Sequence, residues 1–189
     1  DRGYVQSVGG ICTVVGDQLR FYYIGFKGGD SSSYMHSNGA TGMATLRRDG
    51  FASMSTTGEG SLTTRPVKFS GKYMFVNVNC PAGELKVEIL DKNNKVIDGF
   101  SADKCKAVTI DSTIQQVEWN GASDLSSLAG QEVRFRFKLK NGDLYAFWVS
   151  PSTNGESNGY VAGGGPGYTS NKDTEGKKAY EKASGFQKF

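Results

Sequence analysis

Histidine, proline and cysteine are scarce in this chain: one, four and three residues in 189. With His36 as the sole histidine there is little scope for a Ser-His-Asp arrangement, and a zinc site would lack its usual ligands. No Cys-x-x-Cys pair occurs. The odd cysteine count forbids complete internal pairing. Cys80 and Cys105 are expected as buried free thiols, because a free cysteine packs as a small hydrophobe; a bridge between the two is the open alternative. No apolar run approaches the roughly 18 residues a membrane-spanning helix needs. Charge of one sign is not concentrated either. The 22 Lys and Arg are spread among 19 Asp and Glu, giving a net charge of +3, and no basic face suited to nucleic acid is visible.

Glycine and aromatic residues are plentiful, with 26 glycines and 12% aromatics. Glycine-rich turns joining short β-rich runs point to an all-β chain. Gly10–Val15 and Leu19–Ile24 read as two strands turning at Gly16-Asp17-Gln18. Such a hairpin is not stable alone in water. Residues 27–41, with serines at 31–33, read as a linker. Beyond them Arg48-Asp49-Gly50 predicts a hairpin turn between Met43–Leu46 and Phe51–Met54. Strands follow at Ser61–Val67 (an edge, given Pro66), Lys72–Val78, Glu84–Leu90 and Ile114–Trp119. Ser123–Gly130 suits one helical turn. The clearest alternation sets Val133, Phe135, Phe137 and Leu139 against Arg134, Arg136 and Lys138. Asn141-Gly142 then predicts a hairpin turn to Leu144–Val149.

The expected fold is therefore an all-β, two-sheet antiparallel β-sandwich, jelly-roll-like, over 42–150. An N-terminal hairpin (1–26) and the linker (27–41) precede it, and a glycine-rich tail (151–189) follows, with a short helix possible at 173–183.

Little in this pattern suggests catalysis. Asp17, Asp49, Asp91 and Asp143 fall in or beside turns, where aspartate bonds its own backbone. Glu84 and Glu88 alternate with apolar residues and read as solvent-facing. Gly163-Gly164-Gly165-Pro166-Gly167 lacks the lysine and hydroxyl of a phosphate-binding loop, and reads as a flexible or closely packed loop. No metal site or cofactor is expected, although Asp and Asn turns leave a structural calcium open. Sugars stack their C–H faces on Trp and Tyr and bond their hydroxyls to Arg, Asn and Asp. On that chemistry Trp119, Arg134, Arg136, Tyr145 and Trp148 are the candidate carbohydrate-binding residues, against the plainer reading of core aromatics and an arginine-solvated face.

Two stretches carry a resemblance. Gly9-Gly10-Ile11-Cys12-Thr13-Val14-Val15-Gly16-Asp17-Gln18-Leu19-Arg20-Phe21-Tyr22-Tyr23 resembles the closing blade of five-bladed β-propeller glycoside hydrolases. Ala40-Thr41-Gly42-Met43-Ala44-Thr45-Leu46-Arg47-Arg48-Asp49-Gly50-Phe51, with Leu144–Val149, resembles the C-terminal β-sandwich of bacterial proteins similar to glycoside hydrolase family 32 or 43. The resemblance implies a C-terminal fragment, with 1–26 a remnant of the last blade and the propeller itself as partner. In such enzymes the catalytic acids lie on inner strands of earlier blades, so no catalytic residue is expected here. It also implies an extracytoplasmic location, periplasmic or secreted. Two other readings stand beside it. One is a self-contained polysaccharide lyase or hydrolase using Tyr145 as base and Arg134 or Arg136 as charge neutraliser. The other is a structural or oligomerising module that pairs through an exposed sheet edge.

Overall fold

A computed structural model describes residues 3–29 and 35–186. The serines at 31–33, read as part of a linker, lie outside the described residues. The chain is all-β, built on two antiparallel sheets, as expected, but only one of them is formed wholly by residues within 42–150.

The N-terminal sheet comprises β1 (Tyr4–Ser7), β2 (Thr13–Val15), β3 (Gln18–Phe26) and β4 (Gly39–Arg47). β2 and β3 form the expected hairpin, with Val14 opposite Leu19. β1 continues along the same edge of β3, and β4 pairs with the whole of its other edge, from Gln18↔Arg47 to Phe26↔Gly39. This corrects the expected boundaries. Gly39–Thr41 fall in the expected linker and Gly42–Arg47 in the expected sandwich, yet all nine residues belong to the sheet of the hairpin. The hairpin's missing partner is thus the strand that follows it.

The turn at Arg48-Asp49-Gly50 exists, with Asp49 at φ +52° and the Gly50 N–H donating to the Arg47 carbonyl at 3.0 Å. It does not close a hairpin. It passes the chain from β4 to β5 (Met54–Thr63), the first strand of the second sheet. There β5 lies against β9 (Arg134–Ser150), and β6 (Tyr73–Asn79), β7 (Glu84–Leu90) and β8 (Asp111–Val117) complete the sheet.

β9 organises this sheet. Its 17 residues run unbroken through Asn141-Gly142, where a hairpin was expected. Asn141 takes a left-handed conformation, φ +44°, which bends the strand without reversing it. The two halves therefore find different partners. Arg134–Lys140 pairs with β7, and Asp143–Ser150 pairs with β6. Gly83 sits at the bend, where a Cβ would lie 1.8 Å from the Lys140 carbonyl oxygen, so only glycine fits. A register shift between Asn77 and Val78 makes Tyr145 an extra residue on β9, a β-bulge.

The inner face buries Met74, Val76 and Val78 from β6, Leu85, Val87 and Ile89 from β7, and Phe135, Phe137 and Leu139 from β9. Full burial of each large side chain contributes about 1.5–3 kcal/mol. Cys80 and Cys105 are free thiols in this core, as expected. Glu88 departs from expectation: it is 4% exposed, held by Arg136 at 2.8 Å and Lys138 at 3.4 Å.

The segment after β9 is folded, not an exposed tail. Gly163 donates to the Cys12 carbonyl and Gly164 accepts from the Val14 N–H, so the glycine run pairs with the free edge of β2. A Cβ at Gly165 would stand 1.7 Å from the Val14 carbonyl oxygen, which accounts for a glycine at this contact. Val161 and Tyr168 close a small second core over Val14 and Leu19. The helix α1 (Lys177–Ala183), within the expected 173–183, buries Ala179 and Ala183.

Candidate functional site

The five candidate carbohydrate residues occupy three different settings. Trp119 is a core residue, 6% exposed, its Nε1 donating to the Val87 carbonyl at 2.8 Å and its ring edge-on to Phe100. Arg134 and Arg136 lie on the outer face of the first half of β9. Arg134 Nη1 donates to the Thr64 carbonyl, and Arg136 is committed to Glu88 at 2.8 Å. Tyr145 and Trp148 lie beyond the bend. Trp148 stacks on its cross-strand partner Phe75, centroids 5.6 Å apart and 16° between planes, and its Nε1 donates to the Gly155 carbonyl. Tyr145 lies under the Arg47 guanidinium, 4.7 Å from its carbon to the ring centroid. Tyr145 is thus engaged by Arg47, while Arg134 and Arg136 are engaged by Thr64 and Glu88.

Trp148 is covered because residues after Ser150 fold over the outer face of β6. Phe75, on that face, is wholly buried, with Gly155 against its ring and Lys177 Nζ 5.2 Å from its centroid. Beside it the chain assembles a buried polar junction around Arg48. The Arg48 Nη2 donates to Asp173 Oδ2 at 2.8 Å, with side chains 9% and 2% exposed. Tyr180 and Tyr168 flank the guanidinium at 5.3 and 5.6 Å. The buried Asn77 donates to the Arg48 carbonyl, and Thr113 shares a hydrogen bond with Tyr180. Burial alone would lower the Arg48 pKa, but Tyr180, Tyr168 and Asp173 more than offset this and hold it above its ordinary value. Burial pushes the Tyr168 and Tyr180 hydroxyls up, so both stay neutral. The Ser157 hydroxyl also donates to Asp173 Oδ2 at 3.3 Å, and the junction joins the two sheets and the C-terminal segment.

Next to it lies an unfilled polar surface. Ser55, Asp143 and Asn79 are cross-strand partners on β5, β9 and β6, and Asp111 of β8 is opposite Asn79. Partners in register share a face, so the four form one row across the sheet. Arg47 closes its β8 end, donating to Asp111 and to Asn77 Oδ1. At the β5 end Ser53 and Ser55 both donate to Asp143 Oδ1. The row opens into a cleft of about 780 Å³ lined also by Thr56, Pro81, Ala82 and Asn141. Sequence reading placed Asp143 in a turn and passed over Ser55 and Asn79, because their alignment depends on pairing between strands distant along the chain.

Among the described residues no helix is long and apolar enough to cross a membrane. Comparison with known protein families, curated proteins and solved structures returned no match.

Proposed function

We propose that this chain is the C-terminal part of a five-bladed propeller glycoside hydrolase of the family 32 or 43 kind, a non-catalytic β-sandwich that braces the closing blade. The observation that carries this reading is the N-terminal sheet. It leaves Tyr4, Tyr22 and Met43 exposed on one face and Val5 at one end of the other, whose Leu19 end the chain's own Val161 and Tyr168 cover. A sheet built to stand at the end of a domain buries one face and solvates the other. A propeller blade lies between neighbours and presents apolar residues to both.

The sandwich supports this role through rigid attachment. The sheets are joined not by a lone linker but by Arg47 and Arg48, which reach Asn77, Asp111 and Asp173. A blade held in this way transmits little motion, which suits a brace. The resemblance at Gly9–Tyr23 and Ala40–Phe51 agrees with it, and with an extracytoplasmic location.

The reading is tested by the coding sequence upstream of Asp1. The expected result is a series of four-stranded repeats with acidic residues on their inner strands. An upstream region without such repeats would overturn the proposal. The isolated chain is expected to show no turnover on polysaccharide substrates.

A further inference from the structure

We propose that the cleft at the junction of β5, β9 and β6 is a carbohydrate-binding site centred on Asp143, Asn79 and Asn141, distinct from the aromatic and arginine positions that the sequence favoured. It deepens the reading above, which supplies the choice of glycans; the polyhydroxylated class follows from the donor set itself.

Both serine hydroxyls bond Oδ1 of Asp143, which fixes the carboxylate and leaves Oδ2 without a protein donor among the described residues. The side-chain amides of Asn79 and Asn141 likewise have no protein partner among the described residues, while both line the cleft. Each amide offers a carbonyl acceptor and two N–H donors. A held carboxylate oxygen beside two unengaged amides matches adjacent sugar hydroxyls, which donate to the acid and both donate to and accept from the amides. Pro81 and Ala82 supply an apolar wall for ring C–H groups. The cleft, about 780 Å³, lies open to solvent, and its volume falls in the range of small-molecule sites.

Other occupants fit less well. Asp143 repels phosphates and nucleic acid. A divalent cation takes six or more oxygens, with several carboxylates among them; the cleft lining contains one carboxylate, Asp143. Asp111, the nearest other acid in the row, is already paired with Arg47.

The test is affinity electrophoresis of the whole chain through gels containing arabinoxylan, levan or laminarin, with Asp143→Asn, Asn79→Ala and Asn141→Gly. Asp143→Asn keeps the shape and the serine bonds, and Asn141→Gly keeps the left-handed backbone while removing the amide. Far-ultraviolet circular dichroism checks that each variant is folded. The expected result is retardation by at least one glycan, weakened about tenfold or more by Asp143→Asn, since a hydrogen bond to a charged group is being lost. Lys92→Ala, exposed and outside the cleft, is expected to bind as the parent does. Retardation by none of the three glycans would overturn the site, and so would equal retardation of all variants. Retardation abolished by a chelator and restored by calcium would also overturn it, because Asp143 would then hold an ion. None of these outcomes bears on the blade reading, which stands or falls on the upstream sequence.

Discussion

Arg48 and Asp173 stand 125 positions apart and are each almost wholly buried. Two charges removed from water are tolerable together and costly alone. Asp173→Asn or Arg48→Met is therefore expected to lower stability by about 3–5 kcal/mol, read from urea denaturation, because either change leaves one charge uncompensated. The double variant Arg48→Met/Asp173→Leu should lose less than the sum, because no charge then remains stranded. Burial raises the pKa of Cys80 and Cys105, and that of Tyr180. Below the ordinary thiol and phenol range both folded and unfolded chains keep these protons, and their burial as neutral groups costs no ionisation energy. As pH rises through that range the unfolded chain releases protons that the folded chain retains, and stability falls. The thermal midpoint should decline from about pH 9 upward, and Cys105→Ala should flatten the decline. In native protein, Ellman's reagent should modify the half-buried Cys12 rapidly and the other two thiols only after denaturation.

β9 shows how far an element can be read before its neighbours are known. The alternation of Phe135, Phe137 and Leu139 with Arg134, Arg136 and Lys138 was legible because a strand with one buried face must alternate. The meaning of Asn141-Gly142 was not. A left-handed Asn serves a two-residue turn and a bend equally well. The choice fell to β6 and β7, which each take one half of β9 and leave the halves unable to pair with each other. Asn141→Ala should accordingly cost about 1–2 kcal/mol, since alanine pays the left-handed penalty, whereas Asn141→Gly should be near neutral in the same denaturation assay. The polar row beside the cleft was illegible for a related reason. Ser55, Asn79 and Asp143 are scattered among ordinary turn-like residues in sequence, and only strand register sets them side by side. Conversely Trp119, a plausible sugar platform by composition, is committed to Val87 and Phe100 inside the core.

At the scale of the molecule, the segment after Ser150 acts as a clasp. It pairs with β2, caps the second core with Val161, covers Phe75 and supplies Asp173 to Arg48. Deleting 151–189 should expose Phe75 and Trp148, open the small core over Val14 and Leu19, and strand Arg48. The truncated chain is expected to bind a hydrophobic dye, and its N-terminal sheet should lose amide protection before the sheet of β5–β9 does. A truncation with unaltered hydrogen exchange throughout Gly39–Arg47 would show that the sheets hold together without the clasp.

The amino-acid sequence by itself determined that the chain is β-rich, which strands alternate and which side chains of β7 and of the first half of β9 face inward, because the pleat imposes a period of two on any half-buried strand. Tertiary structure alone decided that β4 belongs to the N-terminal sheet, that β9 is one bent strand, that the glycine-rich end is packed, and that a polar row crosses four strands. Each of these depends on which distant backbone satisfies a given N–H or C=O. Local periodicity specifies that such groups must be paired, but it does not name the partner.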